Sequence, residues 1–320
     1  MSQTWSPDVL GAPFEVRTIE LPDDDEGPVV AALVRLAAPS PHGRAVLHVH
    51  GFCDYFFHTE MARWWTERGW TFYALDLRKY GRSLLDHQTP HFVTSLSEHY
   101  PELDAAWDLV TNQEGHSSVL VSAHSTGGLT VPLWAHDTQP EGLAGLVLNS
   151  PWFDLRGAPV LRTLPARAML DQLGARQPYR AIPRPVSGLY GRSLHRDHEG
   201  EWDFDLHLKP LESRPVLAGW LRAVRRGHAR LHRGLDLAAP TLVLSSARTT
   251  NPTRMGEDVF TSDVVLDVRQ IRRWASSTGL HVTSATVPDA VHDVFLSRPA
   301  VRRRAYDEVA RWQEAYVPLG

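Results

Sequence analysis

The sequence predicts an α/β protein built on a mostly parallel sheet, with a large segment inserted late in the chain. Short continuous apolar runs alternate with helix-like segments, which is typical of parallel strands buried on both faces. The alternation stops for about ninety residues after Ser150 and resumes near Thr241. The length of 320 residues is sufficient for one large domain of this kind.

The predicted elements follow from the apolar runs in chain order. Residues 14–21 and 28–37 form a hairpin around an acidic turn. The later strands are predicted at 45–50, 70–75, 118–123, 143–148, 241–246 and 280–287. The helices are predicted at 57–68, 98–113, 126–137, 213–233, 264–278 and 298–316. Residues 1–150 and 238–320 are therefore assigned to the core, and 151–237 to the insertion.

Composition and charge exclude several classes of function. The formal net charge of −4 gives no overall attraction for nucleic acid or anionic membranes. The only cysteine is Cys53, which we expect to be buried, and no intramolecular disulfide can form. The N-terminus has no signal-peptide pattern, and no apolar run has the length of a membrane span. We expect a cytoplasmic protein with no nucleic-acid partner and no stable membrane insertion.

The strongest catalytic motif is a serine at a sharp turn between a strand and a helix. The strand 118–123 leads into Ala123-His124-Ser125-Thr126-Gly127-Gly128. Such a turn projects the hydroxyl from the carboxyl edge of the sheet and needs small residues two positions on either side. Gly127 meets this need and Ala123 nearly does. The motif predicts Ser125 as a nucleophile.

A nucleophilic serine needs a base, and the base needs an acid that orients it. His292 lies in the last loop before the final helix and follows Ser125 in the chain. Asp263, between them, is the first candidate for the acid because it stands at the opening of a helix. Asp267, one turn later, remains the alternative.

Two backbone N–H groups are expected to form an oxyanion hole. One belongs to Thr126, directly after the nucleophile, and the other to Phe52, because His50-Gly51-Phe52 follows the strand 45–50. No metal or cofactor is predicted for this chemistry.

These motifs, in their order, resemble the serine hydrolases of the α/β-hydrolase superfamily, in particular the group of monoacylglycerol lipases, lysophospholipases and S33-type hydrolases. The resemblance also rests on 76–83, 149–152 and 291–293 and covers almost the whole chain. It implies an eight-stranded, mostly parallel sheet with a cap inserted after strand six, and a catalytic triad of Ser125, Asp263 and His292. It implies hydrolysis of a small acyl ester such as a monoacylglycerol or lysophospholipid. Two features depart from the family pattern: Ala123 replaces a glycine, and the stretch 247–262 is long.

The insertion is where substrate contacts are expected. Its aromatic residues Trp152, Phe153 and Trp202 are the candidates for lining an acyl site, although aromatic residues in a cap are commonly core. The predicted helix 213–233 carries a strongly basic face, which we interpret as solvated.

Other functions remain open. An S33-type peptidase or amidase, or a perhydrolase, would use the same triad. A non-catalytic binding module would share the fold without turnover. A metallohydrolase is suggested by His48, His50, Asp54 and His58, which cluster at one strand end.

Overall fold

A computed structural model describes residues 4–39, 43–183 and 188–317. The described residues form one nine-stranded sheet covered by helices on both faces. The strands are β1 (Ser6–Pro7), β2 (Glu15–Asp24), β3 (Gly27–Leu36), β4 (Arg44–Val49), β5 (Thr71–Asp76), β6 (Ser118–His124), β7 (Leu143–Asn149), β8 (Thr241–Ser246) and β9 (Val282–Val287). Their spatial order is β1-β2-β3-β5-β4-β6-β7-β8-β9.

The sheet changes from antiparallel to parallel at β5. Strands β1, β2, β3 and β5 pair antiparallel, and β5, β4, β6, β7, β8 and β9 pair parallel. The predicted fold is therefore confirmed. The sheet has nine strands where eight were expected, and the additional strand is β1. This strand is only two residues long, too short to give a periodic signal in the sequence.

The helices are α1 (Thr59–Thr66), α2 (Tyr100–Asp108), α3 (Gly127–Thr138), α4 (Leu164–Arg176), α5 (Leu189–Leu194), α6 (Ala218–Leu231), α7 (Glu257–Thr261), α8 (Val268–Trp274) and α9 (Pro299–Tyr316). A short π-helical turn at Leu109–Gln113 extends α2. No helix among the described residues is both long and apolar enough to cross a bilayer.

The core occupies both faces of the sheet. Strands β4, β5 and β6 are buried almost throughout because their side chains meet helices on either side. The largest completely buried side chains include Trp70, Trp134 and Trp220. This rigid frame brings the carboxyl ends of β4, β6, β7 and β8 to one edge of the sheet.

The segment between β7 and β8 contains α4, α5 and α6 joined by irregular chain. Helix α6 is shorter than the predicted helix, and its arginines are not a free basic face. Arg225 is buried and pairs with Asp154 at 2.6 Å, while Arg222 pairs with Asp171 at 3.0 Å. The alternating sequence at 202–208 forms no strand but a turn after a single bridge.

Candidate active site

Ser125 lies on the sharp turn between β6 and α3. Its φ of 51° is in the left-handed region, which a residue with a side chain rarely adopts. Two hydrogen bonds stabilise this conformation: the Ser125 N–H donates to the Asn149 carbonyl at 3.0 Å, and the Trp152 N–H donates to the Ser125 carbonyl at 2.9 Å. The end of β7 thus holds the turn in a strained geometry.

Two glycines permit the close approach of chains around Ser125. A Cβ on Gly51 would lie 2.9 Å from the Ser125 Cβ, and one on Gly127 would lie 2.4 Å from the His50 carbonyl oxygen. Any larger residue at either position would push the loop after β4 away from the turn. Ala123 is completely buried in β6, paired with Val49 and Leu148, so its methyl group is accommodated.

The structure brings Ser125, His292 and Asp263 into one hydrogen-bonded chain. His292 Nε2 lies 3.1 Å from Ser125 Oγ, and His292 Nδ1 lies 2.9 Å from Asp263 Oδ2. With Nδ1–H donating to the carboxylate, Nε2 carries the lone pair that accepts from the serine hydroxyl. Ser125 is 7% exposed, His292 2% and Asp263 0%, so the chain lies in a nearly closed site.

Asp263, rather than Asp267, faces His292. The other carboxylate oxygen of Asp263 accepts from the Val265 and Leu266 N–H groups at 2.8 and 2.7 Å. Asp267 instead caps α8 by accepting from the Arg269 N–H at 3.1 Å. The two carboxylates therefore have separate tasks one helical turn apart.

The long stretch before Asp263 is ordered by hydrogen bonds. It contains α7, and the Asp263 N–H donates to the Arg248 carbonyl at 3.0 Å. The Arg156 guanidinium, from the segment after β7, donates to the Thr250 carbonyl at 2.5 Å and also to the Val264 carbonyl. Arg156 thereby joins both sides of the acid loop, which we define as residues 247–267.

The two N–H groups predicted for an oxyanion hole lie on segments that meet at Ser125. His50 orients the first segment: its Nε2 accepts from the Leu77 N–H at 3.0 Å, so Nδ1–H donates to the Gly51 carbonyl at 2.7 Å. Within the described part of the chain, neither the Phe52 nor the Thr126 N–H donates a hydrogen bond to another group.

Sequence reasoning missed a buried polar network behind His292. The His124 ring packs against the His292 ring with centroids 4.8 Å apart, and His124 Nδ1 lies 3.2 Å from the Asn149 carbonyl oxygen. Asn149 Nδ2 donates to Asp293 Oδ1 at 2.6 Å, and the Tyr190 hydroxyl accepts from the Asp293 N–H at 2.9 Å. The network fixes the loop that carries His292. The sequence offered one signal for this network. His124 and Asn149 end the strands β6 and β7, and Asp293 directly follows His292.

Burial and neighbouring polar groups together set the charge states in this network. It lowers the pKa of His124 to about 4, so this ring is neutral at pH 7. Burial alone would raise the pKa of Asp293, but the neighbouring His124 and His58 and the hydrogen bond from Asn149 outweigh it and lower that pKa. Asp293 is therefore an ionised carboxylate beneath the His292 loop.

The predicted substrate-contacting residues have three different surroundings. Trp152 is partly buried beside the Ser125 turn, with its ring 5.7 Å from that of Trp220. Phe153 is completely buried in the main core cluster, which is a packing position. Trp202 packs against His58 with centroids 4.6 Å apart and donates its indole N–H to the Leu296 carbonyl. Of the three, only Trp152 contacts the serine turn directly in the described structure.

The residues considered as metal ligands have other partners. His48 Nδ1 lies 3.2 Å from Ser122 Oγ, and His58 Nε2 lies 3.1 Å from the Phe295 carbonyl oxygen. Asp54 accepts from Lys209 Nζ at 2.5 Å. No group of three or more potential ligands with metal-site geometry occurs in the ranges that the structure describes.

Comparison with known proteins places these features in a family. The family model for serine aminopeptidase, S33, matches residues 40–258. The chain belongs to the S33 serine aminopeptidase family. Ser125, Phe52 and Thr126 lie inside the matched region, while Asp263 and His292 follow it. The predicted resemblance to S33-type α/β-hydrolase enzymes is confirmed.

Solved structures with the same fold include lipases and esterases. A monoglyceride lipase from Saccharomyces cerevisiae, in complex with a substrate analog, is 13% identical with a TM-score of 0.67, covering 94% of this chain and 96% of that chain. A carboxyl esterase from Bacillus coagulans, in complex with glycerol, is 16% identical with a TM-score of 0.66, covering 94% and 99%.

A third structure, the monoacylglycerol lipase of Paleococcus ferrophilus, is 19% identical with a TM-score of 0.58, covering 89% of this chain and 99% of that chain. At these identities the similarity establishes the fold. The comparison with curated proteins gives no match.

Proposed function

We propose that the protein is a serine hydrolase that cleaves carboxylic esters through an acyl-enzyme on Ser125. The observation that carries this proposal is the hydrogen-bonded chain from Asp263 through His292 to Ser125, with heavy-atom distances of 2.9 and 3.1 Å. Both distances are within the reach that proton transfer requires. The substrate class is a small acyl ester such as a monoacylglycerol or a lysophospholipid, in line with the lipases and esterases of the same fold.

The reaction runs in two halves. His292 Nε2 takes the hydroxyl proton of Ser125 as Oγ attacks the ester carbonyl, and the Phe52 and Thr126 N–H groups stabilise the oxyanion. The C–O bond to the alcohol then breaks, and His292 gives the proton to the leaving alkoxide. Water attacks the acyl-enzyme with His292 as base, and the acid leaves as Ser125 regains its proton. Asp263 keeps the imidazole in the required tautomer throughout.

We further propose that residues 151–237 act as a cap over this site, between core segments 1–150 and 238–320. Three contacts that join the insertion to the site support the role. The Tyr190 ring packs 5.8 Å from the His292 ring, Lys209 pairs with Asp54 at 2.5 Å, and the Trp152 N–H bonds to Ser125. In this proposal Trp152 contacts the substrate, whereas Phe153 and Trp202 support the cap.

The test is hydrolysis of p-nitrophenyl esters from acetate to palmitate by the wild type and by Ser125→Ala. We expect the substitution to lower kcat by at least about 10⁴-fold, because the nucleophile is lost. Ser245→Ala, which removes another buried hydroxyl, is the matched control and should retain activity. Full activity in Ser125→Ala, with an unchanged unfolding temperature, would refute the proposal.

A second candidate is an aminopeptidase, because the family model is that of serine aminopeptidases. The same triad would then form an acyl-enzyme with release of an amine. Aminoacyl p-nitroanilides assayed beside the esters separate the two candidates. A higher kcat/KM for the anilides, abolished by Ser125→Ala, would replace the ester proposal.

A further inference from the structure

The Arg214 guanidinium is a cation without a carboxylate partner in the described ranges of the chain. Arg214 is half-buried, and its Nε atom is completely buried with no hydrogen-bond partner. Two other arginines of low exposure pair with carboxylates: Arg78 with Glu102 at 2.7 Å and Arg82 with Asp8 at 2.7 Å. A buried donor left unsatisfied destabilises the folded protein, and more so when the group is charged. Arg214 thus retains binding capacity that the chain itself does not use.

Arg214 lies next to the loop that holds the proposed oxyanion donor. Its backbone N–H contacts Cys53 Sγ at 3.5 Å, and Cys53 directly follows Phe52. The Phe52 ring packs edge-on against the His91 ring, with centroids 5.1 Å apart. The pKa of His91 is lowered well below its usual value, first by burial and then by the positive charge of Arg214. The positive charge of Arg214 therefore acts on a side chain that packs against Phe52.

The surroundings favour a charged ligand over a neutral one. Phe52 also packs on Trp220, with centroids 4.2 Å apart, so the wall beside the cation is apolar. An apolar wall lowers the local dielectric and strengthens attraction between opposite charges. His91 Nδ1 is a second buried polar atom without a partner there. A guanidinium presents a planar fork that matches the two oxygens of a carboxylate or phosphate.

We propose that Arg214 binds an anionic group, a carboxylate or a phosphate, carried by the ester substrate. The inference rests on the proposed ester hydrolysis at Ser125 and specifies its substrate class. The anion can belong to the acyl chain, as in a dicarboxylic half-ester, or to the alcohol, as in an acylglycerol phosphate. Both sources share the chemistry that Arg214 recognises.

The experiment compares matched anionic and neutral esters on two arms. Mono-p-nitrophenyl adipate against p-nitrophenyl heptanoate tests the acyl side, and 1-hexanoylglycerol 3-phosphate against 1-hexanoylglycerol tests the alcohol side. We expect the wild type to favour the anionic ester of one arm by at least about tenfold in kcat/KM, the effect of a charge-assisted hydrogen bond. Added NaCl should reduce this preference in the wild type.

The variants assign the preference to the guanidinium. In Arg214→Gln the anionic-to-neutral ratio should fall at least about tenfold, and Arg214→Lys should retain part of it because the charge remains without the fork. Arg303→Gln, an exposed arginine on α9, should leave the ratio unchanged. No preference on either arm in the wild type, or an unchanged ratio in Arg214→Gln, would overturn the inference.

A binding measurement distinguishes failure of this inference from failure of the proposed function. Calorimetric titration with adipate and with glycerol 3-phosphate, in the wild type and Arg214→Gln, needs no turnover. Binding that depends on Arg214 in a protein that hydrolyses no ester supports the anion site and refutes ester hydrolysis. Absence of binding in such a protein refutes both.

Discussion

The two aspartates near α8 show how one helical turn separates a structural from a proposed catalytic carboxylate. Asp263 is completely buried and accepts from His292 and from two backbone N–H groups. Asp267 is the cap of α8 and pairs with Arg269, whose side chain is 82% exposed. The sequence favours Asp263 because the helix is predicted to begin at 264, but α8 begins at Val268 and its cap is Asp267. The contact of Asp263 with His292 therefore depends on the tertiary path of the acid loop and not on a position at the start of a helix.

Asp263→Asn should therefore lower kcat strongly, and Asp267→Asn should not. An asparagine at position 263 favours the wrong imidazole tautomer, and we expect a fall of about 10³–10⁴-fold in kcat. Asn remains a good helix cap, so Asp267→Asn should change the free energy of unfolding by less than about 1 kcal/mol. Ester kinetics and urea unfolding of both variants check this. The reverse order of effects would move the acid to Asp267.

At the scale of elements, the sequence was sufficient for the parts that depend on local pattern. The buried strands β4 to β8 have continuous apolar runs, and the Ser125 turn has its glycines, so both were predicted within one or two residues. The partners of Arg225 and the hydrogen bonds of Arg156 depend on segments far apart in the chain. Sequence periodicity carries no information on such contacts, which is why the sequence alone favours a solvated basic face for α6 and the structure differs.

The Arg156 side chain connects the segment after β7 to the acid loop. Arg156→Met removes the donors to the Val264 and Thr250 carbonyls while keeping an apolar stem of similar length. We expect kcat to fall about tenfold to a hundredfold with little change in KM, because a displaced acid loop misplaces Asp263 relative to His292.

The matched control is Arg162→Met. Arg162 also donates to backbone carbonyls, those of Leu155 and Gly157, but it does not bond to the acid loop. Steady-state kinetics on one ester, with thermal unfolding of both variants, separate the effects. Equal losses of kcat in the two variants would mean that Arg156 has no special relation to the acid loop.

At the scale of the whole molecule, neutral histidines are distributed through the core. Burial is the main cause that lowers the pKa of His48 to about 3, of His124 to about 4 and of His228 to about 3. They lie in β4, in β6 and in α6, so the sheet and the insertion share the property. Folding keeps all three uncharged at pH values where the unfolded chain binds protons.

The sign of the resulting pH dependence follows from linkage. Below the unfolded pKa of about 6.5 the unfolded chain takes up protons that the folded protein excludes until about pH 4. The free energy of unfolding should therefore fall as the pH drops from 6.5 towards 4, by up to about 1.4 kcal/mol per pH unit for each of these histidines. Urea unfolding midpoints at pH 7.5, 6 and 5 measure this fall in the free energy of unfolding.

His48→Asn, which removes one of the three groups, should make the pH dependence shallower by about a third if the histidines contribute equally. A midpoint that does not change between pH 7.5 and 5 would show that these rings are not excluded from protonation in the folded protein.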